Sequence, residues 1–100
     1  MFAVREFGTC LTSRASGEKV RLLIKEELSN TNNVAIDFKG VEVASHSFCD
    51  EAFGKLICEI GFENFKRRLK FWNCSEEIKA VIRFVLRERV KTEKELCLAR

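Results

Sequence analysis

The segment SHSFCDE, residues 45–51, holds the side chains that are best suited to chemistry. Its two hydroxyls, on Ser45 and Ser47, can each accept a phosphate, which adds about −1.5 to −2 charges and three strong hydrogen-bond acceptors. A serine before an acidic first turn can instead cap a helix by accepting a backbone amide bond. We predict that Ser47 is the N-cap, with Asp50 as the acidic partner of a capping box.

His46 and Cys49 in the same segment have the residue types of a thiol nucleophile and its base. At a helix N-terminus the pKa of the Cys49 thiol can be lowered. A catalytic pair also needs a group that orients the histidine and donors that bind an oxyanion, and the sequence identifies neither. We therefore expect no enzyme. The chain has one histidine and five cysteines without a CxxC pair, so neither a metal nor a cofactor is expected.

Asp37 ends an apolar strand and precedes Gly40, which allows a turn. A carboxylate at the carboxyl end of a parallel strand can bind a ligand. It can also accept backbone amide bonds and stabilise the turn that follows, and we favour this second role.

A basic stripe is the remaining candidate, because the last helix carries a cation at every fourth residue: Lys79, Arg83, Arg87 and Lys91. A second basic cluster lies just upstream, at residues 66–70. Such surfaces can contact phosphate backbones, which makes a small nucleic-acid-associated regulator the alternative function. Glutamates are interspersed along the same helix and the net charge is only +3, so we favour a solvated face.

The first elements that position these residues are a hairpin and a helix. The alternating segment FAVREF breaks at Gly8, which predicts a hairpin with Phe2, Val4 and Leu11 facing inward. A helix then opens at Ser16. Its apolar stripe is Val20, Leu23, Ile24 and Leu28, and it stops in the polar run at residues 29–33.

The second half continues with a strand at residues 34–38, a helix from Ser47 to Gly61, a strand at residues 68–72 and a last helix capped by Asn73. The order ββαβαβα predicts an α/β fold with a mainly parallel, four-stranded sheet and about three helices. One hundred residues make one domain, residues 1–100. No apolar run reaches the ~20 residues of a membrane span and the start lacks a signal-peptide core, so we expect a cytoplasmic protein.

The run AIDFKGVEVASHSFCDEAFGKL, residues 35–56, resembles a bacterial family of STAS-like domains of unknown function. The shared features are an Asp-Phe strand end, a glycine turn, and Ser-x-Ser-Phe-x-Asp-Glu at the start of a helix. The segments LTSRASGEKVRLLI and FKRRLKFWNCSEEIKAVI are similar to the family's flanking elements. The resemblance therefore covers roughly residues 8–88, nearly the whole chain.

This resemblance implies a STAS-like α/β domain similar to anti-sigma-factor antagonists. Those proteins bind histidine-kinase-like ATPases, which phosphorylate a serine at the start of the helix after the Asp-bearing strand. Their pattern is Asp-Ser-Ser/Thr-Gly, and here its positions fall on Ser45, His46, Ser47 and Phe48. The phosphorylated serine of the antagonists is thus a histidine in this chain, and the next hydroxyl is retained.

The sequence therefore predicts a non-catalytic protein-interaction module that regulates a protein partner, for which a histidine-kinase-like ATPase is the candidate. The surface expected to meet this partner consists of Ser45, His46, Ser47, Asp50 and Glu51.

Overall fold

The computed structural model describes the backbone of residues 2–98 and the side chains of residues 2–91. Short strands alternate with helices in the order β1 (Phe2–Ala3), a 3-10 turn (Val4–Phe7), β2 (Cys10–Leu11), α1 (Arg14–Asn30), β3 (Val34–Asp37), β4 (Val43–Ala44), α2 (His46–Cys49), a π-helical segment (Asp50–Gly54), α3 (Lys55–Ile60), α4 (Phe62–Arg68), β5 (Leu69–Trp72) and α5 (Glu76–Leu98). We call the continuous run of α2, the π segment and α3 the central helix. No helix in the described part of the chain is long and apolar enough to cross a membrane.

The strands pair in parallel, which confirms the α/β class. One sheet has the order β1-β3-β5, in which Val34 lies opposite Leu69 and Asp37 opposite Trp72. The other consists of β2 and β4, with Leu11 opposite Ala44. The structure thus has sheets of three and two strands in the described residues, which differs from the predicted single sheet of four.

The predicted hairpin between the first two strands is wrong. After β1 the chain makes a 3-10 turn that ends at Gly8, where φ is +125°. Each strand then finds its parallel partner downstream, β1 in β3 and β2 in β4. The inward residues were nevertheless identified, because Val4 and Leu11 are almost completely buried and Phe2 packs against the core.

The core lies between the three-stranded sheet and the helices, and the central helix runs through it. Its residues Phe48, Phe53, Leu56 and Ile57 recur at helical spacing and are fully buried. α1 and α5 both pack on the π segment. The last helix buries Ile78, Ile82 and Val85, which recur at helical spacing along one of its faces.

The predicted stripe of α1 is correct except at one position. Val20, Ile24 and Leu28 are buried, but the side chain of Leu23 is 38% exposed. Arg21 is buried instead, because it continues the stripe at helical spacing from Gly17 and faces the π segment. A cation in a buried stripe requires a partner of opposite charge, and Arg21 finds one in Glu51 of the π segment.

The predicted N-caps of the helices are wrong by two or three residues. The observed caps are Ser13, Ser45 and Ser75, which accept from the amides of Ser16, Phe48 and Ile78 at 3.1, 3.2 and 3.2 Å. Tertiary pairing fixes these starts. Asn73, for example, adopts a φ of +53° and donates its side-chain amide to Asp37, so it lies outside the helix that it was expected to cap. α4 was not predicted.

Candidate functional site

The strand-to-helix junction, residues 44–51, is held rigidly at Ser45. The amide of Ser45 donates to the carbonyl of Leu11 at 2.9 Å, which extends the pairing of β4 with β2. Its Oγ accepts from the Phe48 amide at 3.2 Å and donates to the Thr12 carbonyl at 3.2 Å. Because Ser45 has the extended backbone that an N-cap requires, with φ −74° and ψ 167°, the helix begins there and not at Ser47.

Ser47 therefore lies inside the first turn of the central helix. It is partly exposed, and its hydroxyl makes no hydrogen bond to any other residue that the structure describes. The helix dipole favours negative charge in this first turn. Of the two serines, Ser47 is thus the one with an available hydroxyl.

An aromatic side chain of α5 joins this surface. The ring of Phe84 contacts that of His46 edge-on, with the centroids 5.1 Å apart at 84°. The side chain of Phe84 is 50% exposed, although it is one of the largest apolar side chains of α5. We call His46, Ser47 and Phe84 the junction surface. Sequence reasoning missed Phe84, and its signal was an aromatic residue off the apolar stripe of its helix.

Asp50 does not reach back to cap the helix, so its predicted role in a capping box is wrong. Its carboxylate instead accepts two bonds from Arg89, from Nε at 2.8 Å and from Nη2 at 2.7 Å. Arg14 donates a third at 3.1 Å. These bonds, that from Arg89 above all, lower the pKa of Asp50. The residue therefore joins α1, the π segment and α5.

Glu51 is 5% exposed, which corrects the expectation that it presents its carboxylate to a partner. It pairs with Nη1 of Arg21 at 2.8 Å, with Nζ of Lys55 at 3.0 Å and with Nη1 of Arg14 at 3.3 Å. The hydrogen bond from Arg21 is the largest reason why the pKa of Glu51 falls to about 2. The Arg21 guanidinium also donates to the carbonyl of Glu51. We call the buried pair Arg21 and Glu51, together with their less buried partners Arg14, Asp50, Lys55 and Arg89, the buried ion cluster.

Gly17 allows the helices to approach closely enough for these ion pairs. A Cβ at this position would lie 2.7 Å from the carbonyl oxygen of Phe48 and 2.8 Å from Cβ of Glu51. Such distances are shorter than van der Waals contact, so only glycine fits here. The close approach brings Arg14 and Arg21 of α1 within reach of the carboxylates of the π segment.

The structure does not bring Cys49 and His46 together as a reactive pair. Cys49 is fully buried, and its Sγ contacts the carbonyl of Ala44 at 4.0 Å. Burial raises the pKa of its thiol to about 12, so the expectation of a lowered pKa is wrong. His46 is exposed and packs on Phe84. In the described residues, no group of three or more His, Cys, Asp or Glu side chains could hold a metal ion.

Asp37 has the bonds of a turn carboxylate, the role favoured from the sequence. Its Oδ1 accepts from the Lys39 amide at 3.0 Å and from Nδ2 of Asn73 at 2.9 Å. These two bonds, that from Asn73 first, lower the pKa of Asp37. Gly40 has a φ of +84°, and the turn closes with a bond from the Val41 amide to the Phe38 carbonyl.

The basic stripe of α5 is only partly free. Lys79 pairs with Glu76 at 3.4 Å. Arg83 and Arg87 are exposed and make no ion pair with any residue up to position 91, and Lys91 is also exposed. Within the second basic cluster, Arg68 is a helix cap, because it donates to carbonyls at the end of α1, among them that of Leu28 at 2.7 Å.

The different roles of the two serines lead to a first prediction. Ser45→Ala should lower the free energy of unfolding by about 1 kcal/mol, because the Phe48 amide loses its acceptor. Ser47→Ala is the matched control and should change it by less than about 0.5 kcal/mol, since no bond is lost. Urea unfolding of both variants measures the difference, and equal losses would contradict the assigned cap.

Comparison with known proteins identifies one family. A family model described as a STAS-like domain of unknown function matches residues 16–79, well over half of the chain. The match includes α1, the junction, the central helix and β5, and it confirms the resemblance seen in the sequence. Searches among curated proteins and among solved structures found no match.

Proposed function

The chain belongs to the family of STAS-like domains of unknown function, and from that membership we propose that it is a non-catalytic regulatory module that binds a protein partner through its junction surface. The proposed partner is a histidine-kinase-like ATPase, by analogy with the anti-sigma-factor antagonists to which the sequence resemblance points. The observation that carries the proposal is a half-exposed aromatic side chain that contacts His46, the neighbour in sequence of a serine with an available hydroxyl.

Phe84 supplies the apolar anchor of the proposed interface. Aromatic residues are enriched among the side chains that contribute most to protein–protein binding. Phe84 is 50% exposed, and its contact with His46 limits the freedom of both rings before a partner arrives. Such preorganisation reduces the entropy that binding costs.

Ser47 supplies the switch in this proposal. Its hydroxyl is available, whereas that of Ser45 both donates and accepts within the fold. A phosphate on Ser47 would add charge one residue from His46, which contacts the apolar anchor, and in the first turn of the central helix, where the dipole tolerates it. We therefore assign the phosphoacceptor role to Ser47 and the capping role to Ser45.

The buried ion cluster supports this surface from behind. Asp50 and Glu51 are the last two residues of the junction, and their ion pairs fix the central helix to α1 and α5. Because α5 also carries Phe84, the same contacts set the position of the anchor relative to Ser47. The cluster thus has a positioning role in the proposed interface.

The proposal predicts that Ser47→Asp weakens partner binding by about tenfold or more, while the free energy of unfolding stays within about 1 kcal/mol of wild type. Phe84→Ala should weaken binding to a similar extent, and Ser47→Ala should bind normally. The partner is purified after affinity capture from the native host, and calorimetric titration measures each affinity. Ser29→Asp, which places the same charge at the far end of α1, is the control.

A second readout uses the wild-type chain. When this chain is incubated with the purified partner and ATP, mass spectrometry should find phosphate on Ser47 and none on Ser45. If Ser47→Asp and Phe84→Ala both bind the partner as wild type does, the junction surface is not the interface and the proposal fails.

A further inference from the structure

A second apolar surface lies between the start of α4 and α5, away from the residues assigned above. Phe62, Leu86 and Val90 form the apolar part of a groove of about 340 Å³, and Arg83 and Arg87 also line it. Phe62 is 45% exposed, and no acidic residue lines the groove. We call these five residues the α4–α5 groove. Its two cations have no ion-pair partner within residues 2–91, so an incoming anionic surface would meet them unopposed.

The outer face of α1 has the complementary character. Leu22 is 52% exposed and Leu23 is 38% exposed, on the side of α1 away from Gly17, Val20 and Ile24. Glu26 lies between the two leucines on the helix surface, and Glu18 and Glu27 lie on the opposite edges of this face. None of these three carboxylates makes an ion pair with another described residue. Lys19 lies on the same side as Glu26, and Lys25, near Glu18, pairs with Glu59 at 3.1 Å. This face therefore exposes two leucines and carries an excess of unpaired carboxylates.

We propose that a second copy of this chain occupies the groove, so that the outer face of α1 in one molecule packs against Phe62, Arg83 and Arg87 of the next. The exposed leucines and unpaired glutamates of α1 meet an apolar floor flanked by arginines, which matches both apolar character and charge. α1 cannot occupy the α4–α5 groove of its own molecule, because its inner face, opposite Leu22 and Leu23, is packed on the π segment.

The two surfaces are different patches, and this determines the geometry of the assembly. An interface between different patches is heterologous, so molecules add head to tail and form a ring or an open filament. A nucleic acid is the weaker candidate for the groove, because its affinity depends on neutralising many phosphates, and only two unpaired guanidinium groups surround this apolar floor.

Two sets of substitutions separate the two sides of the interface. The groove variant carries Arg83→Glu and Arg87→Glu, and the α1 variant carries Leu22→Ser and Leu23→Ser. All four positions are exposed, so both proteins should fold, which circular dichroism checks. Arg5→Glu with Lys39→Glu changes the net charge by the same amount at a distant turn and is the control.

Sedimentation velocity at protein concentrations up to about 1 mM should show that the average mass of the wild type rises with concentration. At the upper end of this range even a complex with a Kd of about 1 mM is populated. Each variant should associate at least about tenfold more weakly, and the control should behave as wild type. A mixture of the two variants should form heterodimers and nothing larger. The groove variant retains a native α1 face and the α1 variant retains a native groove, so only one native interface can form between them.

Three results would overturn the proposal. The first is a monomeric wild type over the whole range, and the second is a mixture of variants that does not associate. The third is that the groove variant self-associates as wild type does but no longer binds duplex DNA, while the DNA affinity of the wild type falls steeply with salt. This result would assign the groove to nucleic acid.

Discussion

Glu51→Ala is expected to lower the free energy of unfolding by about 3–5 kcal/mol, the loss typical of removing one partner from a buried ion pair. Glu51 and Arg21 are 5% and 9% exposed, so the substitution would leave a buried guanidinium without its carboxylate. Nε of Arg21 already has no hydrogen-bond partner, and the nearest other carboxylate, that of Glu59, lies 3.9 Å away. Urea unfolding at neutral pH measures the loss.

The matched control is Glu59→Ala, on the exposed side of the same set of charges. The side chain of Glu59 is 39% exposed, and its closest partner is Lys25 at 3.1 Å. Solvent screens such a pair, so the expected loss is below about 1 kcal/mol. Losses of equal size for the two glutamates would show that burial does not set the strength of the cluster.

The same cluster gives the stability a defined pH dependence. The pKa of Glu51 falls from 4.5 to about 2 in the folded protein, mainly through the hydrogen bond from Arg21, and that of Asp50 is also lowered. Their contribution is therefore fully present above about pH 4.5 and is lost as the pH falls towards about 2. In Glu51→Ala, unfolding midpoints should depend less steeply on pH over this interval.

Phe53→Ala should destabilise the fold to a similar extent, by about 3–5 kcal/mol, because a large fully buried side chain is lost and a cavity remains. Phe53 is 0% exposed, and its ring centroid lies 5.2 Å from that of Phe71, 6.1 Å from that of Phe38 and 6.3 Å from that of Phe48. It thus joins the central helix to Phe38, which directly follows β3, and to β5. Thermal unfolding followed by circular dichroism measures the effect.

Phe84→Ala is the control, with the same change of side chain at a position that is 50% exposed, and should shift stability by less than about 0.5 kcal/mol. A domain of this size is stable by only about 5–15 kcal/mol, so Phe53→Leu provides a milder second variant that folds. If Phe53→Leu and Phe84→Ala unfold at the wild-type midpoint, Phe53 is not the centre of the core.

Local signals in the sequence were sufficient for the elements whose structure depends on near neighbours. The strand at residues 34–37 is β-rich, the turn at Gly40 needs a positive φ, and the helix that ends at Gly61 buries Phe53 and Leu56 at helical spacing. The turn role of Asp37 could be predicted in the same way, because its carboxylate accepts a hydrogen bond from the backbone amide of Lys39, two positions along the chain.

Contacts between distant parts of the chain were beyond that reasoning. Nothing near Arg21 in sequence indicates that Glu51 will lie 2.8 Å away, and Gly17 reveals its role only once the π segment is packed against it. Phe84 is separated from His46 by the rest of the central helix, α4 and β5. Ser45 was overlooked as a cap because its choice depends on a hydrogen bond to Leu11, on another strand.

The π segment, Asp50–Gly54, has a consequence for how this chain compares with its relatives. A π turn closes its hydrogen bond one residue later than an α turn, so the segment accommodates one residue more than a regular helix of the same path would. A relative whose central helix is α-helical throughout should therefore align only with a one-residue gap inside residues 50–54. An ungapped alignment would place every residue on one side of the segment a position out of phase, and it would pair Glu51 with the wrong neighbour.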